Sequence, residues 1–195
     1  KVFLDTSSLV SPDELNGDLL LMESRNSVRN ITAHLLEKGC TLPGFMGDIG
    51  YAQSNRERYE GFCQALMDAG KTPNPSLCLT TPLGIDSYRE EIDSFLSSLS
   101  RMPDAFVCAS DYVACILMQL LEKRGLRVPE DVAVSGFDNN IEDLLAENLT
   151  TVQVFNEELG SRLALQILYR IKYPHTPHEV TYLESKVLYR ASTGD

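Results

Sequence analysis

Short apolar runs alternate with amphipathic stretches along nearly the whole chain, and that rhythm constrains the fold more than any other feature. The runs are VFL (2–4), LLLM (19–22), PGFM (43–46), LCLT (77–80), AFVCA (105–109), VAVSGF (132–137) and TVQV (151–154). None alternates strictly between apolar and polar residues, so both faces of each predicted strand must be covered, as in a parallel sheet between helical layers. The stretches between the runs repeat apolar residues at helical spacing. One predicted helix, from Asn26 to Lys38, presents Val28, Ile31 and Leu35 and stops at Gly39. Ser54 and Glu57 are spaced as a capping box ahead of Tyr59, Phe62, Cys63 and Leu66, with Gly70 beyond the end. Ser87 and Glu90 lead a third helix, with Ile92, Phe95, Leu96 and Leu99 facing inward. Asp111 caps a fourth carrying Val113, Leu117, Leu120 and Leu121, and Asn156 opens a fifth whose stripe is Leu159, Leu163, Ile167 and Ile171. Strand–helix alternation of this kind predicts right-handed βαβ units and a doubly wound α/β sheet.

One junction shows where a ligand would sit. In RVPEDVAVSGFD (127–138), Pro129 discourages helix and the acidic pair behind it keeps the turn in water. Val132–Val134 is then the buried strand, Gly136 lets its end pass close to a neighbour, and Asp138 emerges at the carboxyl end. Open α/β sheets bind their ligands at that edge, and a carboxylate there accepts hydrogen bonds from a polar molecule.

Charge and cysteine usage narrow the function. Seventeen Lys and Arg against 28 Asp and Glu give a net charge of −11, which argues against this segment gripping nucleic acid through phosphate contacts. There is no apolar run of about 18 residues to span a membrane, and KVFLDTSSL does not read as a signal peptide. Cys40, Cys63, Cys78, Cys108 and Cys115 are odd in number and set in apolar surroundings, so they read as reduced core residues of a cytoplasmic protein. No metal or cofactor is expected. There is no C-x-x-C, no G-x-S-x-G elbow and no P-loop, and Gly44, Gly47 and Gly50 do not form the dinucleotide fingerprint. His175 and His178 have a spacing open to a metal, but they flank a Pro-containing loop that reads as solvated.

The stretch PDAFVCASDYVACILMQLLEKRGLRVPEDVAVSGFD (103–138) closely resembles the LacI/GalR family of bacterial transcriptional regulators. So do LTTV (149–152), EELGSRLALQIL (157–168), VLYRAST (187–193), HLLEKGC (34–40) and SNRERYEGFCQALMDAG (54–70), in the same order. The resemblance implies a periplasmic-binding-protein-like effector domain, two α/β lobes holding a small polar molecule between them. Residues 1–47 and 152–177 would form part of the N-terminal lobe, and 48–151 with 178–195 the C-terminal lobe. The first strands and helices of the N-terminal lobe, and a DNA-binding headpiece, would lie outside this chain. The implied partners are a sugar or sugar-derivative effector, operator DNA through that headpiece, and a second copy in a homodimer, with no membrane association and no enzymatic activity.

The resemblance also places site residues. Arg58, three residues before Gly61 in R-x-x-G, matches the family arginine that donates two hydrogen bonds to ligand hydroxyls or a carboxylate; its alternative is a solvated helix arginine. Asp138 matches the family aspartate that accepts from ligand hydroxyls, or else bonds to turn amides. Ser110 and Asp111 match an Asn-Asp pair that resembles a ligand contact; Ser110 departs from it with a shorter side chain, and Asp111 reads more readily as the helix cap. Phe137 either stacks on a sugar ring or is a core aromatic. Asp48, Gly50 and Tyr51 lie near the expected lobe crossing. Met22-Glu23 departs from the family's Asp-Asn-like pair. The alternative to a regulator is a periplasmic sugar-binding protein of an ABC transporter, which shares the fold; a sensor fused to another output domain is a third reading.

Overall fold

The computed structural model describes residues 1–84, 86–140 and 146–195. In chain order the elements begin β1 (Val2–Leu4), β2 (Asp18–Met22), α1 (Arg25–Glu37), β3 (Pro43–Met46), α2 (Gln53–Asp68), β4 (Cys78–Leu79) and α3 (Tyr88–Ser98). They continue β5 (Ala105–Cys108), α4 (Asp111–Lys123), β6 (Ala133–Ser135), β7 (Thr151–Gln153), α5 (Asn156–Lys172), β8 (Val180–Leu183) and β9 (Lys186–Leu188). One sheet runs β1-β2-β8 and a second runs β4-β3-β5-β6, and all their pairings are parallel.

The four-stranded sheet is covered on both faces, which is why its strands are apolar at almost every position, Ser135 at the end of β6 being polar. Phe45 and Val107 point into one cluster with Val28, Ile31 and Leu35 of α1 and Phe62 and Leu66 of α2. Met46, Phe106 and Cys108, one residue out of phase, point into the other with Ile92 and Leu96 of α3 and Leu117 and Leu121 of α4. This is the doubly wound arrangement that the alternation of runs predicts.

The boundary between the two sheets falls elsewhere than expected. α1 and β3, assigned with residues 1–47 to the first lobe, pack in and on the four-stranded sheet, while β8, assigned with 178–195 to the second, pairs with β2. The crossing comes directly after β2, where Glu23 takes hydrogen bonds from the backbone of Asn26 and from the hydroxyl of Ser27. The apolar stripe of α1 then meets Phe45 and Phe62, and this contact decides which sheet the helix joins. Two further features escaped the sequence reading, β8 and β9 themselves and the antiparallel pairing of β7 with β9.

α5 departs most from its predicted stripe. Leu159 and Leu163 are half-buried, while Ile167 and Ile171 are exposed; the buried residues are Gln166 and Arg170. Both hold Asp18, a buried carboxylate at the start of β2, with Gln166 Nε2 at 3.0 Å and Arg170 Nε at 2.9 Å from Oδ2. A buried carboxylate must be paired, and this requirement overrides the apolar stripe. Burial alone would raise the Asp18 pKa, but hydrogen bonds from Arg170, Gln166 and the Glu179 backbone N–H, with the Arg170 charge, hold it at about 2. A depressed carboxylate adds stability above its unfolded pKa and loses it as pH falls toward the folded one. Asp18→Asn is therefore expected to destabilise the protein by about 2 kcal/mol at neutral pH. Urea melts should show that difference closing between about pH 4 and pH 2. No helix among the described residues is long and apolar enough to cross a membrane.

Candidate functional site

In the order β4-β3-β5-β6 the chain leaves β3 in one direction and β5 in the other, so a crevice opens between their carboxyl ends. Gly47, just after β3, lines that point; a Cβ there would lie 2.2 Å from the Ala109 Cβ after β5. Arg58 reaches into the same place from the N-terminal half of α2. Its Nη1 donates to the Ala109 carbonyl and, at 3.2 Å, to Asn55 Oδ1. The guanidinium Cζ lies over the Phe137 ring, 3.7 Å from its centroid, with Nη2 3.6 Å from Asp138 Oδ1.

The arrangement leaves hydrogen-bonding capacity open. Arg58 is buried, yet among the described residues its Nε has no partner. The 3.6 Å separation is an ion pair but too long for a hydrogen bond, and none of the described residues donates one to the Asp138 carboxylate. Asp138 also has φ 114, a backbone region that favours glycine, held in place by its N–H bonding to Val152 O at 3.0 Å. This strain lies beside an unsatisfied guanidinium nitrogen and a carboxylate that accepts no hydrogen bond from the described residues.

The electrostatics are acidic. Burial lowers the Arg58 pKa, and Asp138, Asp5, Asp111 and Glu57 oppose that shift from around it. Burial raises Asp138 to about 6; Arg58 counteracts this and Asp111 reinforces it. Burial likewise raises Asp111, against the hydrogen bond from Thr151 Oγ1 at 2.6 Å.

Arg58, Phe137, Asp138 and Asp111 are thus brought together, but not all in the expected roles. Phe137 is fully buried beneath Arg58 and offers no open ring face, so the core alternative holds. Ser110 is the N-cap of α4, accepting from Val113 N at 3.3 Å, and Asp111 is the next residue, turned inward to Thr151. The cap therefore falls on Ser110 rather than on Asp111, whose carboxylate takes a buried hydroxyl partner from β7. The predicted capping box also dissolves: α2 starts at Gln53, Ser54 Oγ donates to Asp5 Oδ2 at 2.6 Å, and Glu57 accepts from Tyr182 Oη at 2.7 Å. Ser87 caps α3, but its hydroxyl bonds to Glu91 rather than Glu90. Arg56, on α2, is half-buried with its Nε enclosed and without a partner among the described residues.

Asn55, Asp5, Glu57 and Tyr182 were not visible as site residues, since they converge only when the two sheets meet. His178 lies against Asn16 and Asp18, not His175, and no group of three or more metal-ligating residues occurs among the described residues. Among the described residues the five cysteines form no disulfide.

A family model for the periplasmic binding protein-like domain matches residues 32–193. The chain belongs to that family. Relatives of this periplasmic binding protein-like domain include the HTH-type transcriptional repressor PurR of Aliivibrio salmonicida, 28% identical over 183 residues. That match covers 93% of the domain and 54% of the relative, so the chain spans about half the length of the curated relatives it matches. A solved structure described as a LacI-family regulator from Sanguibacter keddieii matches with a TM-score of 0.83 at 26% identity, over 100% of the domain and 72% of that chain. The regulator CelR, solved as a cellobiose complex, also matches at 0.83, with 25% identity over 98% of the domain and 58% of that chain. The expected fold class and the LacI-type resemblance both hold. These relatives are described as a repressor and as regulators.

Proposed function

We propose that this domain binds an uncharged, polyhydroxylated effector, a sugar or sugar derivative, as the sensor of a LacI-type transcriptional regulator. The observation that carries the reading is the Arg58–Asp138 pair at the crevice, a donor and an acceptor both left open. A guanidinium only donates and an ionised carboxylate only accepts, whereas a hydroxyl does both. A sugar diol satisfies the pair; a purely anionic group satisfies Arg58 alone. Asp5, Glu57, Asp111 and Asp138 around one guanidinium also disfavour an effector with a phosphate or carboxylate. The CelR complex with cellobiose is a relative in keeping with this chemistry.

The two sheets then serve as lobes. Hydrogen bonds from Tyr182 to Glu57 and from Ser54 to Asp5 span them beside the site, so a ligand held at Arg58 and Asp138 biases how they close. An effector that binds one lobe arrangement better than the other shifts their populations by that difference. In a cytoplasmic homodimer the shift would reach operator DNA through headpieces outside this chain. The acidic domain itself is unsuited to the DNA contact.

A thermal-shift panel of sugars, sugar phosphates, nucleobases and amino acids tests the reading on the full-length protein. A ligand at about 100 times its Kd stabilises the native state by about 2.7 kcal/mol. For a chain of this size that is a rise of roughly 5–10 °C. The expected hit is an uncharged sugar, lost in Asp138→Ala and weakened in Arg58→Lys, which keeps the charge but not the planar fork. A hit from an anion, or a sugar hit insensitive to both substitutions, defeats the assignment.

A further inference from the structure

Three tyrosines stand on the same carboxyl edge as the Arg58–Asp138 pair, beyond the ends of β3, β4 and β5. Tyr51 lies in the turn after β3, Tyr88 opens α3 after β4, and Tyr112 is in the first turn of α4 after β5. Tyr51 is 76% exposed and Tyr112 is 55% exposed, while Tyr88 is half-buried and anchored on the α3–α4 core. Tyr88 and Tyr112 meet edge to face with centroids 5.6 Å apart at 90°. Burial raises the Tyr88 hydroxyl above its ordinary pKa, and Asp48, Tyr51 and Tyr112 are near enough to add to that effect. The rim therefore combines aromatic faces, phenol hydroxyls and one carboxylate. It is continuous with the inner site: Asn55 donates to the Asp48 carbonyl at 2.9 Å and accepts from Arg58, and Tyr112 follows Asp111 directly.

Large aromatic side chains left in water at one edge of a crevice are a ready binding surface. Their chemistry suits a pyranose, whose C–H face packs on a phenol ring while its hydroxyls bond at the ring's edge. We infer that Tyr51, Tyr88 and Tyr112 form an outer subsite for a second sugar ring, so that the effector is an uncharged oligosaccharide with its first ring at Arg58 and Asp138. This rests on the sugar-effector reading above.

Isothermal titration of the full-length protein with matched pairs tests it, glucose against cellobiose and maltose, and galactose against lactose. The disaccharide of a binding pair is expected to bind about tenfold tighter than its monosaccharide, or better. Tyr112→Ala and Tyr51→Ala should remove that gain and leave monosaccharide affinity in place, and Tyr112→Phe, which keeps the ring, should retain most of it. Equal affinity for one ring and two, or tyrosine variants that weaken both alike, overturns the outer subsite. So does a changed oligomeric state in the alanine variants with disaccharide affinity intact, which would make the rim a contact between copies. Those outcomes leave the inner site standing. Sugar binding unaffected by Asp138→Ala, or no binding by any member of the panel, overturns the effector reading together with the subsite.

Discussion

Asp138→Asn is expected to make the protein more stable and unable to hold its effector. The Asp138 carboxyl is raised to about 6 by burial, with Asp111 nearby, even though Arg58 pulls it the other way. Its unfolded value is about 3.9, so at neutral pH the ionised form costs the fold roughly 3 kcal/mol. Because the side chain keeps 29% exposure, solvent screening reduces this to about 2 kcal/mol. Asparagine removes the charge, keeps the shape and is more tolerant of the positive φ of 114 at this position. A rise in Tm of roughly 4–8 °C at pH 7 follows. The sign with pH is definite. A carboxyl raised on folding lends stability that is fully present below about pH 4 and lost as pH climbs through about 6. The melting temperatures of wild type and variant should therefore converge in acid and separate above pH 6. Effector affinity should fall by about a hundredfold or more, since an ionised acceptor that makes bonds worth about 1.5–3 kcal/mol each is gone. Stability given up at a site in exchange for binding is a recognised trade-off. A variant that melts lower and binds normally would make Asp138 a structural partner of Arg58 and nothing more.

Gly61→Ala should do the greatest damage for the least added volume. In a helix interior alanine is favoured over glycine by about 1 kcal/mol, so propensity alone predicts a gain. Here, however, the added Cβ would lie 2.1 Å from the Arg25 carbonyl oxygen and 3.0 Å from its carbon, atoms of a backbone that cannot swing aside. The crossing of α1 over α2 must open, and Phe62, Ile31 and Leu35, all buried there, lose their contacts. Overpacking of this kind costs about 1–3 kcal/mol and more when backbone must shift, so the net loss should be at least about 2 kcal/mol. Arg58 lies one turn earlier on the same helix, and its guanidinium would be displaced from Phe137 and Ala109. Urea denaturation should show the reduced midpoint, and titration a weaker effector. An alanine variant as stable as wild type would mean that the two helices separate freely.

Much of the four-stranded unit was legible. Its strands announced themselves as continuous apolar runs because both faces are buried, and Gly70 and Gly125 marked helix ends because both residues adopt positive φ. The smaller sheet was harder to read. β8 and β9, in VTYLESKVL, alternate weakly with polar residues and are partly exposed, so their apolar content is low. α5 shows an apolar stripe, but the buried carboxylate of Asp18, 152 residues before Arg170, decides which side turns inward. No local pattern encodes a partner so remote in sequence.

The candidate site divides in the same way. The sequence by itself determined the α/β rhythm, the family resemblance and the choice of Arg58 and Asp138 as candidate site residues, because strand ends and motif spacing are local properties. Only the tertiary structure decided that Phe137 lies buried beneath the guanidinium, that Ser110 caps while Asp111 turns to Thr151, and that Tyr88 meets Tyr112 edge to face. Each of these depends on which strand lies beside which in the order β4-β3-β5-β6, and hence on distances between residues far apart in the chain. Side-chain burial and charge pairing are set by those distances, not by neighbours in sequence.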